Sequence, residues 1–120
     1  MDADLVVTEF CEAWGRSDLD EIIGFFSEDA IYHNIPMEPC SGRENIRALI
    51  EGMFATISSI DFDIRSQICR GTMVMNERID TLVMGERTIA LPVCGVFELA
   101  PDGRIKAWRD YFDAAQFAGS

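Results

Sequence analysis

The chain has 120 residues, the usual size of one compact domain, so residues 1–120 are read as a single domain with no room for a large barrel or repeat array. It is 48% hydrophobic and 26% charged, an ordinary globular composition. Ten basic residues against 21 acidic ones give a net charge of −11, which argues against nucleic acid, anionic lipid and anionic substrates and favours a neutral, apolar small molecule.

Val6, Phe10, Ala13 and Trp14 recur at helical spacing, and Gly15 is expected to end that helix. Ser17-Asp18-Leu19-Asp20 resembles a capping box that opens a short helix through Ile22, Ile23, Phe25 and Phe26. An extended piece from Ala30 to Asn34 follows, stopped by Pro36 and Pro39. Ser41-Gly42-Arg43-Glu44 predicts a second capping box. The helix after it carries Ile46, Leu49, Ile50, Met53, Phe54 and Ile57 on one apolar stripe, expected to face the core.

From Ile60 the period changes to two, with Ile60, Phe62 and Ile64 alternating with Asp61, Asp63 and Arg65. Further strands are predicted at about Thr72–Val83, Thr88–Leu99 and Arg104–Phe112, separated by turns at Met84–Arg87 and Pro101-Asp102-Gly103. Helices first and a run of antiparallel strands after them predict an α+β fold, one curved sheet with helices on one face.

The remaining signals are mostly exclusions. The cysteines, Cys11, Cys40, Cys69 and Cys94, are widely spread with no CxxC pair, and His33 is the single histidine. No metal site is therefore expected. Cys11, Cys69 and Cys94 lie in or beside apolar stretches and read as buried free thiols. His33 should point away from Tyr32 and Asn34 and reads as incidental. GxGxxG, GxxxxGK[ST] and GxSxG are all absent, which sets aside nucleotide cofactors and triad hydrolysis. The acidic start, MDADLVVTEF, has no basic n-region, and no segment approaches a membrane span, so a cytoplasmic protein is expected.

Any chemistry then falls to carboxylates, Arg and Tyr. Strand alternation puts Val74, Asn76, Arg78, Asp80 and Leu82 on one face, so Arg78 and Asp80 can pair. Ile89, Leu91, Val93, Gly95 and Phe97 share a face of the next strand. Spacing alone favours an ordinary solvated ion pair for Arg78 and Asp80. In the last strand Lys106, Trp108, Asp110 and Phe112 share a face, leaving Asp110 between two large aromatics. A carboxylate there is desolvated and needs a partner, which Arg78 could supply; a structural Asp at a strand end fits equally well. Two carboxylates bridged by one guanidinium make an acid–base device in which one member holds the proton. Tyr32 and Asn34 fall on the same side of their extended segment, where a phenol and an amide can hold a water molecule, although polar residues entering a turn explain them as simply.

Together Tyr32-x-Asn34-x-Pro36, Glu77-Arg78-Ile79-Asp80 and Trp108-Arg109-Asp110-Tyr111-Phe112-Asp113 resemble the limonene-1,2-epoxide hydrolase family in order and spacing, over about Asp4 to Phe117. The resemblance implies the cone-shaped fold of nuclear transport factor 2, scytalone dehydratase and ketosteroid isomerase: a curved, mostly antiparallel sheet with N-terminal helices on its concave face, usually as a homodimer. It also implies one-step, cofactor-free hydrolysis of an epoxide to a vicinal diol. By similarity Asp110 would be the general base, Tyr32 and Asn34 the holders of the water, Asp80 the general acid, and Arg78 the bridge between the carboxylates.

The expected partners are a small apolar epoxide and water. Strand parity places Leu82, Leu91, Val93 and Phe112 on the pocket wall, and similarity adds Trp14, Met53, Ile57 and Phe117, with core packing at least as good an account of Ile57. Two other readings remain at this point. One is a polyketide-cyclase-like or ketosteroid-isomerase-like enzyme on the same fold. The other is a non-catalytic binding or dimerisation module, which has no need for Arg78, Asp80 and Asp110 to converge with Tyr32 and Asn34.

Overall fold

The computed structural model describes residues 2–118. Helix α1 (Ala3–Arg16) starts at Asp2, whose side chain accepts from the Leu5 N–H at 3.2 Å. It does not stop at Gly15. It runs to Arg16 and closes at Ser17, which adopts the left-handed conformation (φ 55°) and bonds its N–H back to Trp14 O. Because Ser17 is used in that closure, the cap of α2 (Leu19–Ile23) moves one residue on, to Asp18, which accepts from Glu21 N. The predicted box at Ser17 does not form.

Strand β1 (Phe26–Asn34) begins at Phe26, which the sequence pattern had put in the helix. After β2 (Cys40–Ser41), helix α3 (Arg43–Thr56) opens at Gly42 with φ 91° and no side-chain cap. Ser41 belongs to β2 and accepts through its backbone carbonyl from Asn45, so the second predicted box is also absent. The apolar stripe of α3 divides: Ile46 and Ile50 are buried in the core, while Leu49 and Met53 turn toward a cavity, as does Ile57 just past the helix end.

Strands β3 (Ser59–Arg70), β4 (Met73–Met84), β5 (Arg87–Leu99) and β6 (Ile105–Tyr111) follow, then a short α4 (Ala115–Ala118). They join β1 and β2 in a six-stranded curved sheet of order β2-β1-β6-β5-β4-β3, antiparallel throughout except for the β1–β6 pair. The helices cover one face. Phe10 of α1 is fully buried against the rings of Trp14, Phe25, Phe26, Phe97 and Trp108, all met edge-on. Among the described residues, no helix is long and apolar enough to cross a membrane.

Two expectations about side-chain direction are corrected by register. A bulge opposite Glu98 and Leu99 turns Lys106 outward, so Lys106 is exposed and Ile105 takes the inner position. Of the three thiols expected to be buried, Cys11 is, and burial pushes its pKa up to about 12. Cys94 is exposed because its parity is opposite to that of Val93 and Gly95, and Cys69 is exposed beside the turn that joins β3 to β4.

Candidate active site

The β4 alternation holds: Val74, Asn76, Arg78, Asp80 and Leu82 are all buried, and their neighbours in sequence are less so. In the β5 register, Asn76 faces Gly95, and Gly95 in turn faces Asp110 of β6. With no side chain at Gly95, the guanidinium of Arg78 can cross β5 and reach Asp110 two strands away. A Cβ at that position would lie 2.9 Å from both Asn76 Oδ1 and Asp110 Oδ1 and closer still to Arg78 Nη1.

Arg78 is fully buried and grips both carboxylates. Nε and Nη2 donate to Asp80 Oδ1 and Oδ2 at 2.9 and 2.8 Å. Nη1 and Nη2 donate to Asp110 Oδ1 and Oδ2 at 3.2 and 2.8 Å. Two bidentate forks on one guanidinium suit Arg and no other side chain. Asp110 Oδ1 also accepts from Trp108 Nε1 at 2.6 Å. The Phe62 ring lies under Arg78, 4.5 Å from Cζ, adding a cation–π contact to the same cation.

The two carboxylates differ in surroundings. Burial raises the pKa of Asp80 to about 6; the Arg78 hydrogen bonds and charge pull it down, while Asp110 and Asp61 push it up. Asp110 instead has three N–H donors aimed at its oxygens, an arrangement suited to an anion.

Tyr32 and Asn34 reach the site through the parallel β1–β6 pairing, which sets Tyr32 opposite Trp108 and Asn34 opposite Asp110. The Tyr32 ring stacks on Trp108, 4.1 Å between centroids and 5° between planes. Burial above all raises the pKa of the Tyr32 phenol, with the Asp110 charge adding to it and the Asn34 side chain pulling it back, so it stays protonated. All five residues expected to carry chemistry therefore converge. His33, expected to be incidental, clips the following loop through Nε2 and Met37 O, 2.9 Å apart.

Tyr32, Asn34, Asp80 and Asp110 are among the polar residues that line a cavity of about 270 Å³, with Glu38 the other. Its apolar lining includes Leu82, Leu91, Val93, Phe112, Met53, Phe117 and Ile57 as expected. Trp14 is the exception. It is fully buried behind Phe62, stacked on that ring at 4.9 Å, and Phe62 takes the lining position instead. Sequence reading missed Phe62, Ile60, Leu49, Met37 and Glu38, which also line the cavity. Phe62 was legible in principle, since it directly faces Asp80 in the β3–β4 register.

The fold is that of the NTF2-like, SnoaL-like proteins. The chain belongs to the limonene-1,2-epoxide hydrolase family, whose catalytic-domain model matches residues 2–119. It is 33% identical over 107 residues to epoxide hydrolase EphG of Mycobacterium tuberculosis, covering 89% of this chain and 70% of that protein. Among solved structures it is similar to an LEH-like epoxide hydrolase from M. tuberculosis, with a TM-score of 0.87 and 32% identity over 98% of this chain and 87% of that one. A SnoaL-like polyketide cyclase from Shewanella denitrificans OS-217 has a TM-score of 0.86 at 16% identity, over 97% and 93% of the two chains. That likeness extends to the fold alone.

Proposed function

We propose that the protein hydrolyses a neutral, lipophilic epoxide to a vicinal diol in one step, by general acid–base attack of water and without a cofactor. The observation that supports this most is the single Arg78 guanidinium joining Asp80 and Asp110 at the polar part of an otherwise apolar cavity. Asp110 accepts a proton from water as the water oxygen bonds to an epoxide carbon. The C–O bond breaks at that carbon, and Asp80 gives its proton to the departing oxygen. An oxirane opens poorly without that protonation. One proton has then left Asp80 and one has arrived at Asp110, and exchange with solvent restores the starting state.

In this reading the other residues have supporting parts. The protonated Tyr32 hydroxyl and the Asn34 amide hold the water beside Asp110. Arg78 keeps the two carboxylates at fixed separation and in unlike protonation states. The apolar wall holds the carbon skeleton and excludes bulk water.

Turnover by this route depends on pH. Asp80 must carry a proton to act as the acid, and its pKa is raised to about 6. Hydrolysis of a panel of lipophilic epoxides should therefore show kcat/KM declining as pH rises through about 6, since kcat/KM reports groups of the free enzyme. A profile that rises through that range would take the acid role from Asp80. No diol from any epoxide in the panel would remove the proposed activity.

A further inference from the structure

Arg has five N–H donors and no acceptor. In Arg78, two go to Asp80 and two to Asp110, and the fifth goes from Nη1 to Asn76 Oδ1 at 3.0 Å. We propose that Asn76, held by Gln67, is a positioning residue: it closes the last donor of Arg78 and fixes the rotation of the guanidinium, and with it the relative placement of Asp80 and Asp110. The catalytic consequence rests on the epoxide hydrolysis proposed above.

The direction of every bond in this chain follows from Arg78. A cation that only donates requires the Asn76 amide to present its oxygen. Asn76 Nδ2 then points away, to Gln67 Oε1 at 3.0 Å and Cys11 Sγ at 3.8 Å. Gln67 must in turn present Nε2 outward, to Asp4 Oδ1 at 2.8 Å, Thr8 Oγ1 at 3.0 Å and the Asp4 carbonyl at 3.2 Å. Two amides in series thus connect the buried cation to the first turn of α1, with the Asp4 carboxylate at the outer end.

A separate feature of the backbone serves the same contact. Between Ile64 and Ser66 the β3–β4 ladder contains a bulge, after which Gln67 pairs with Asn76. An unbroken ladder continuing from Ile64 and Arg78 would have brought Ser66 opposite Asn76, and serine is too short to span to Asp4. Bulges recur beside active sites because they re-aim a side chain. The choice of an amide at position 76 is also chemical. An aspartate there would give Arg78 a third anion and draw it away from the pair it bridges, whereas an amide oxygen accepts without competing in charge.

The charged and titratable groups acting on Asp80 are Arg78 on its own strand, Asp110 from β6 and Asp61 from β3, with Cys11 and Tyr32 near the same network. Loosening Arg78 removes part of the attraction that opposes burial of Asp80, so the Asp80 midpoint should rise. The experiment is a carboxyl-carbon NMR titration of Asp80, together with kcat and KM, in the wild-type protein, Asn76→Met and Gln67→Met. Gln67 is only half-buried, so Gln67→Met keeps the test available if Asn76→Met does not fold. In Gln67→Met the midpoint is expected to move up by about half a pH unit. The declining limb of the kcat/KM profile should move with it, and kcat should fall about tenfold with KM little changed. A folded Gln67→Met protein whose Asp80 midpoint and pH profile match the wild type would overturn the inference, whatever its stability. The titration needs no turnover, so a wild-type protein without hydrolase activity would count against the proposed function while the midpoints still decide this one.

Discussion

Asp110→Asn is expected to lower kcat by about 10³-fold, the usual scale for removing a general base. The substitution keeps the shape of the side chain and removes its capacity to take a proton. It also has a structural consequence that sets it apart from a peripheral change. Asp110 Oδ1 accepts from Trp108 Nε1 and Arg78 Nη1, and Oδ2 accepts from Arg78 Nη2. An asparagine must turn its amide N–H₂ toward at least one of these donors. A buried cation would then be short of an acceptor, so about 3 kcal/mol of stability should be lost as well. Denaturant unfolding measured alongside turnover would show both effects. A variant with near-normal kcat would deprive Asp110 of the base role.

Gly95→Ala should be the most damaging single methyl group in the molecule. The new Cβ would meet Asn76 Oδ1, Asp110 Oδ1 and Arg78 Nη1. Such contacts are tolerable when the neighbour is the free end of a flexible chain, but here both oxygens accept from Arg78 Nη1 and all three residues are buried. None can retreat without opening the bridge. About 3 kcal/mol of stability should be lost, at the upper end for overpacking, together with nearly all activity. Gly52→Ala is the matched control. Nothing lies within 4 Å of a Cβ built at that helical position, so the change should stabilise α3 by about 0.5–1 kcal/mol. If Gly95→Ala unfolded at the wild-type denaturant midpoint with full activity, the crossing of Arg78 over β5 would be wrong.

Much of this site could be read from residue order. Alternation in one strand was enough to align Asn76, Arg78, Asp80 and Leu82, because β4 carries no bulge between them and its inner face is buried. The same rule failed for Lys106, where a bulge resets the parity. It also left Gly95 on the right face without a purpose, because the reason for a missing side chain lies in what crosses above it. The parallel β1–β6 pairing brings Tyr32 and Asn34 to Asp110, and no local pattern encodes a contact between segments so far apart in sequence. Asn76 had the same fate as Gly95, since its bond to Arg78 depends on a rotation that spacing does not specify.

Helix ends were the weaker part of the reading for a related reason. Ser17 and Ser41 both match a capping pattern, but the chain uses one to close the preceding helix and the other in a strand. The apolar stripe of α3 was correct as a stripe and incomplete as a core, because hydrophobicity does not separate a residue facing other side chains from one facing a cavity. Trp14 shows the converse. Its size and composition suit a pocket wall, but Phe62 stands between it and the cavity.

The central claim is that water attacks the epoxide directly, with Asp110 taking the proton and no ester forming on the protein. A single-turnover reaction in ¹⁸O-labelled water, with protein in excess over a lipophilic epoxide that it hydrolyses, tests this most directly. Direct attack predicts that the diol of the first turnover already carries the label. Unlabelled first-turnover diol, with the label appearing in a carboxylate of the protein, would mean a covalent ester intermediate and would contradict the roles given to Asp110 and Asp80.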